Sequence, residues 1–79
     1  MSNIYDWEAE FFFEQGLRQS EAGNDEAAIA SFDTALKFKL DYHETWNNRG
    51  VAQENLGRNQ DAIASYDKAL QLEPNYHEA

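Results

Sequence analysis

The chain has 79 residues, of which 15 are acidic, 6 are basic and none is cysteine, so its formal net charge is −9. One small domain fits this length, disulfides and thiolate metal sites are excluded, and nucleic acid and anionic membranes are disfavoured because phosphate binding needs clustered Lys and Arg. Since there is neither a basic leader nor an apolar run of the roughly 20 residues that span a bilayer, we expect a soluble cytoplasmic protein.

The first helix is predicted to begin at a cap provided by Ser2 or Asn3 and to continue to Ala22. Its middle is dense in aromatic residues. Phe12 is expected to fill the space between this helix and the next, and Phe13 to point the other way.

The second helix is predicted over residues 25–38, after a turn at Gly23 and a candidate cap at Asn24. Apolar side chains recur at helical spacing along it. Its expected buried stripe consists of Ala28, Ile29, Phe32, Ala35 and Leu36.

The third helix is expected to open at Asp41 and Glu44, which have the spacing of a capping box. On a wheel of 100° per residue, Trp46, Gly50 and Gln53 fall within one narrow arc, at about 0°, 40° and −20°. A bulky ring and a bare backbone therefore share the face that meets the next helix.

The fourth helix is predicted from about Asn59 to Leu72, because Gly57 suits the left-handed residue that ends a helix and Pro74 stops the next one. Small and aromatic side chains again share one face of this helix. The residues on that face, which should pack closely on the third helix, are Ala62, Tyr66 and Ala69.

An internal repeat organises these helices. Shifting residues 9–42 by 34 positions onto residues 43–76 gives twelve identities without a gap. The chain is therefore divided into an N-terminal extension at 1–8, two repeats at 9–42 and 43–76, and the start of an incomplete third repeat at 77–79.

The repeat resembles the tetratricopeptide repeat, on the evidence of Trp46, Gly50, Gly57, Ala62, Tyr66, Ala69 and Pro74, echoed by Phe12, Gly16, Gly23, Ala28, Phe32 and Ala35. The resemblance implies an all-α fold, a right-handed superhelix of two helix-turn-helix hairpins that is open at its C-terminal end. The chain departs from the family pattern three and seven residues after the first aromatic, where large apolar residues are usual and the polar Gln15, Gln19, Arg49 and Gln53 stand here.

The resemblance also implies a protein-interaction module, because the arc of each first helix opposite the packing face lines a concave surface in this family. The matching residues here are Glu10, Phe13, Leu17, Glu21, Glu44, Asn47, Val51, Glu54 and Asn55. Residues 1–36 contain eight acids and only Arg18 as a base. This excess of acids fits a solvated helix surface, and its functional interpretation is a basic protein or peptide as the partner.

Other readings stay open. Ile63, Leu70 and Leu72 have no following helix to meet, which predicts self-association of the chain or a place within a longer array without a groove ligand of its own. Catalysis is not expected, because His43 and Glu44 lack the second histidine of a zinc-protease helix and Asn47 stands in its place. No cofactor or metal is expected.

Overall fold

The computed structural model describes residues 6–73, which form four α-helices joined by short turns. They are α1 (Asp6–Glu21), α2 (Asp25–Phe38), α3 (His43–Asn55) and α4 (Asn59–Leu72). The bounds predicted for the second and fourth helices are confirmed. The predicted cap at Ser2 or Asn3, the stop at Pro74 and the start of a third repeat at 77–79 fall outside the described residues.

The four helices pair as two hairpins that lie side by side. α1 packs on α2, α3 packs on α4, and α2 packs against α3 to join the hairpins. All regular secondary structure in residues 6–73 is helical, which confirms the all-α class. None of the helices in this range is long and apolar enough to cross a membrane.

Both hairpin turns depend on a glycine with a positive φ angle, 86° at Gly23 and 80° at Gly57. The residue after each glycine donates its backbone N–H to a carbonyl in the last turn of the preceding helix, from Asn24 to Gln19 and from Arg58 to Gln53, both at 2.8 Å. These bonds satisfy carbonyls that the helix end leaves unpaired. The two turns are therefore built in the same way.

Two capping predictions are wrong. The side chain of Asn24 makes no capping hydrogen bond to α2, and no capping box forms at Asp41 and Glu44 because α3 begins at His43, after the N-cap residue Tyr42. The indole N–H of Trp46 donates to the Leu40 carbonyl at 2.8 Å, which links α3 to the segment that precedes it.

The close helix approach predicted at the glycines of the first helices is confirmed in both hairpins. A Cβ atom added to Gly16 would lie 2.5 Å from the ring of Phe32, and one added to Gly50 would lie 2.7 Å from the ring of Tyr66. Phe32 is completely buried and contributes to the core with Ala28, Ile29 and Ala52. Glycine is required here by space, since helix and ring are already in contact.

A hydrogen-bonded cluster closes the first hairpin at the polar positions where the family pattern is apolar. Ser31, which is 5% exposed, donates its hydroxyl to Gln19 Oε1 at 2.5 Å and accepts from Gln15 Nε2 at 3.1 Å. Because the partners satisfy one another, these polar groups are buried without a large penalty.

The second hairpin repeats this cluster and extends it across the hairpin interface. Ser65 accepts from Arg49 Nη1 at 2.9 Å and contacts the Gln53 amide at 2.7 Å. Arg49 also donates its Nε to Asp33 Oδ1 of α2 at 2.7 Å. Arg49 therefore connects the two hairpins and also takes part in the hydrogen-bonded cluster inside its own hairpin.

Candidate functional site

The first turns of α1 and α3 meet at a shallow hollow of about 250 Å³. Glu10 of α1 and Glu44 of α3, both predicted as partner-binding residues, line it and are exposed. Lys39 and Tyr42, from the segment between α2 and α3, complete the lining. The structure thus brings the two predicted carboxylates together around a tyrosine.

The pKa of Tyr42 reflects its burial and the negative charge of this hollow. The pKa of its phenol is raised to about 12, first by burial and then by the carboxylates of Glu44, Glu10 and Glu14, in that order of effect. Lys39 lies with its Nζ 5.2 Å from the centroid of the Tyr42 ring, within the range of a cation–π interaction. The hollow therefore already attracts one positive charge, which is supplied by the chain itself.

The apolar residues predicted for the concave surface are less available than expected. The Phe13 ring is half-buried, with its centroid 5.0 Å from that of Tyr42 and 6.0 Å from that of Phe32. Leu17 is half-buried against the core, and of the matching residues in α3, Asn47 is half-buried and Val51 is 37% exposed. Phe13 and Leu17 therefore contribute to internal packing and offer a partner only part of their surface, whereas Val51 is exposed.

The predicted residues at the other end of the two first helices have partners inside the chain. Glu54 accepts a hydrogen bond from the Tyr66 hydroxyl at 2.8 Å, and Asn55 Nδ2 donates to Asp25 Oδ1 at 3.3 Å. The pKa of Tyr66 is raised to about 12, chiefly by burial and then by the hydrogen bond and charge of Glu54. Glu21 is exposed. The end lined by Glu10 and Glu44 is therefore the better place for a ligand.

Sequence reasoning missed Lys39 and Tyr42 as members of this surface, because both lie outside the first helices on which the prediction was based. One signal was available. Tyr42 is identical to Tyr76 in the repeat alignment, although Tyr42 lies between α2 and α3 and not in a helix. Identity at a loop position shared by two diverged copies indicates a role beyond helix packing.

This arrangement can bind cations through ion pairs and hydrogen bonds. Within residues 6–73, no group of three or more His, Asp or Glu side chains is placed to hold a metal ion. The carboxylates and the phenol of the hollow can accept hydrogen bonds from a lysine or arginine side chain, whereas the Lys39 ammonium competes with such a cation.

Residues 43–76, which contain α3 and α4, match the family model described as the tetratricopeptide repeat. No curated protein matches the chain. Residues 9–42 form a second hairpin with the same glycine turn, the same glycine-to-ring contact and the same serine cluster.

Proposed function

We propose that this chain, a tetratricopeptide-repeat protein, binds a basic segment of a partner protein at the acidic hollow between α1 and α3. The family generally mediates protein–protein interaction. The observation that carries the proposal is the convergence of Glu10 and Glu44, from two helices, on the hollow that Tyr42 lines. We place this activity in the cytoplasm.

The hollow favours a lysine or arginine side chain for electrostatic reasons. Glu10 and Glu44 are exposed, so each ion pair with a partner contributes only about 0.2–1 kcal/mol and weakens as salt rises. The Tyr42 ring adds a flat surface on which a cationic side chain can lie. Weak individual contacts of this kind suit reversible binding of an extended segment.

The test is fluorescence anisotropy with a labelled lysine-rich peptide and the full chain. The double variant Glu10→Gln and Glu44→Gln keeps the shape of the hollow and removes two charges, so affinity should fall by roughly 2- to 30-fold. Asp61→Asn with Glu73→Gln, near the two ends of α4, removes the same charge elsewhere and serves as the control.

Equal affinity of the wild type and the Glu10/Glu44 variant would reject the hollow as the binding site. An equal loss in the control would show that only net charge attracts the peptide. Specific binding requires the first variant to lose affinity and the control to keep it.

A second candidate function is self-association, which one observation favours. Ile29 is 9% exposed beneath α3, whereas its repeat equivalent Ile63 on α4 is 58% exposed. An exposed isoleucine at a packing position is a candidate contact between copies. Sedimentation velocity over a range of concentrations tests this, and a constant monomer mass would reject it.

A further inference from the structure

The outer face of α4 has the same residues that α2 uses to hold α3. α2 presents Ile29, Asp33 and Leu36, and the positions 34 residues later are Ile63, Asp67 and Leu70. Ile29 is 9% exposed and lies in one buried cluster with Ala52 of α3, and Leu36, on the same side of α2, is 6% exposed. On α4, Ile63 and Asp67 are exposed and Leu70 is half-buried. We call Ile63, Asp67 and Leu70 the α4 face.

The contact between α2 and α3 shows which kind of helix fits such a face. Thr45 and Ala52 of α3 are completely buried, and Arg49 lies between them in sequence and pairs with Asp33. A small residue, an arginine four positions later and another small residue three positions after that share one side of a helix. The small residues permit close approach, and the arginine neutralises the aspartate.

From this internal precedent we propose that the α4 face is a docking site for an amphipathic helix of a partner protein, with an arginine between two small residues at this spacing. The arginine pairs with Asp67, and the small residues lie over Ile63 and Leu70. This site is separate from the acidic hollow. It recognises a helix by shape and by one charge, whereas the hollow recognises a basic segment.

The first helix of a second copy fits the α4 face less well. The residues of α1 at the positions of Thr45, Arg49 and Ala52 are Phe11, Gln15 and Arg18. Phe11 and Arg18 are much larger than the two residues that are completely buried in the internal contact, and Gln15 has no charge to offer Asp67. A partner helix of the α3 type is therefore the better occupant.

The experiment uses a labelled peptide of residues 41–58, which contains α3, as the probe for the full chain in an anisotropy titration. The peptide should bind the wild-type chain, and Ile63→Asp or Asp67→Arg should each weaken binding at least about tenfold. Ile63 and Asp67 are exposed, so these variants should keep the fold, and circular dichroism checks it.

A charge exchange provides the sharpest control. A peptide with Arg49→Asp should fail to bind the wild-type chain and should bind the Asp67→Arg variant. Restoration of binding requires that peptide residue 49 and chain residue 67 are adjacent. The Glu10→Gln and Glu44→Gln variant should behave like the wild-type chain: it should bind the unchanged peptide and fail to bind the Arg49→Asp peptide. This result separates the α4 face from the acidic hollow.

Three results would overturn the proposal. The first is a wild-type chain that does not bind the peptide. The second is binding that Asp67→Arg leaves unchanged, as expected if the peptide displaces the chain's own α3 from Asp33. The third is a wild-type chain whose mass rises with concentration and an Ile63→Asp variant whose mass does not, since a second copy would then occupy the α4 face.

Discussion

Replacing Gly16 by alanine tests whether the hairpins are held at the spacing that the structure shows. In an exposed helix this change stabilises by about 1 kcal/mol, because alanine is the better helix former. Here the new Cβ would lie 2.5 Å from Phe32 Cε1 and 2.7 Å from Cδ1, about 1 Å inside the optimum carbon–carbon distance. Phe32 is completely buried, so the ring has no space to retreat.

Overpacking of a rigid core costs about 1–3 kcal/mol, which exceeds the gain in helix propensity. We therefore expect Gly16→Ala to lower the free energy of unfolding by about 1–2 kcal/mol. Gly50→Ala should cost less, because the new Cβ would lie 2.7 Å from the ring of Tyr66, which is only half-buried and can shift.

Urea denaturation followed by circular dichroism measures these changes. Gly23→Ala is the control without a steric contact, since nothing lies within 4 Å of its Cβ position and only the φ angle of 86° is strained. Trimming the ring with Phe32→Leu should reduce the cost of Gly16→Ala in the double variant. A Gly16→Ala chain as stable as the wild type would refute the packing argument.

Three further predictions follow from the same contacts. Ile29→Ala should cost about 2–4 kcal/mol in urea denaturation and Ile63→Ala less than about 1 kcal/mol, because only Ile29 is covered by a helix; equal losses would contradict the exposure of Ile63. Lys39→Ala should increase the affinity of the hollow for a lysine-rich peptide severalfold in the anisotropy assay, since it removes the chain's own cation from the Tyr42 ring, and unchanged or weaker binding would contradict that competition. The folded-state pKa of Tyr66 is raised from 10.0 to about 12, so the protonated phenol should stabilise the fold fully below pH 10, and this stabilisation should be lost as pH rises to about 12. Tyr66→Phe should therefore flatten the dependence of the free energy of unfolding on pH between 10 and 12. An identical pH dependence in the variant and the wild type would reject the assignment.

The sequence predicted the helices well because local signals and the repeat agreed. Apolar spacing over residues 25–38 and the two turn glycines are local features, and the structure confirms them. The capping box at Asp41 and Glu44 is also a local pattern, but α3 begins at His43 with Tyr42 as the N-cap residue, and the Trp46 indole donates to the Leu40 carbonyl just before it. The spacing of two residues alone therefore does not determine where a helix begins.

The site was harder to predict because it depends on which side chains meet between hairpins. A helical wheel placed Phe13 on the concave arc, yet the wheel does not show that Tyr42 covers its ring. It also gave no sign that Lys39 stands over Tyr42. Both facts depend on the path of the connecting segment, which has no periodicity to interpret.

The ion pair between Arg49 and Asp33 contributes little to the stability of this fold and more to the specificity of helix packing. Asp33 is about half exposed, so the pair adds little free energy compared with an apolar contact of the same size. It does penalise every helix that would cover Asp33 without supplying a cation, because the carboxylate would then be buried unpaired. Because Asp67 repeats Asp33, the same penalty applies at the α4 face, where it sets the chemistry of the helix that can dock there.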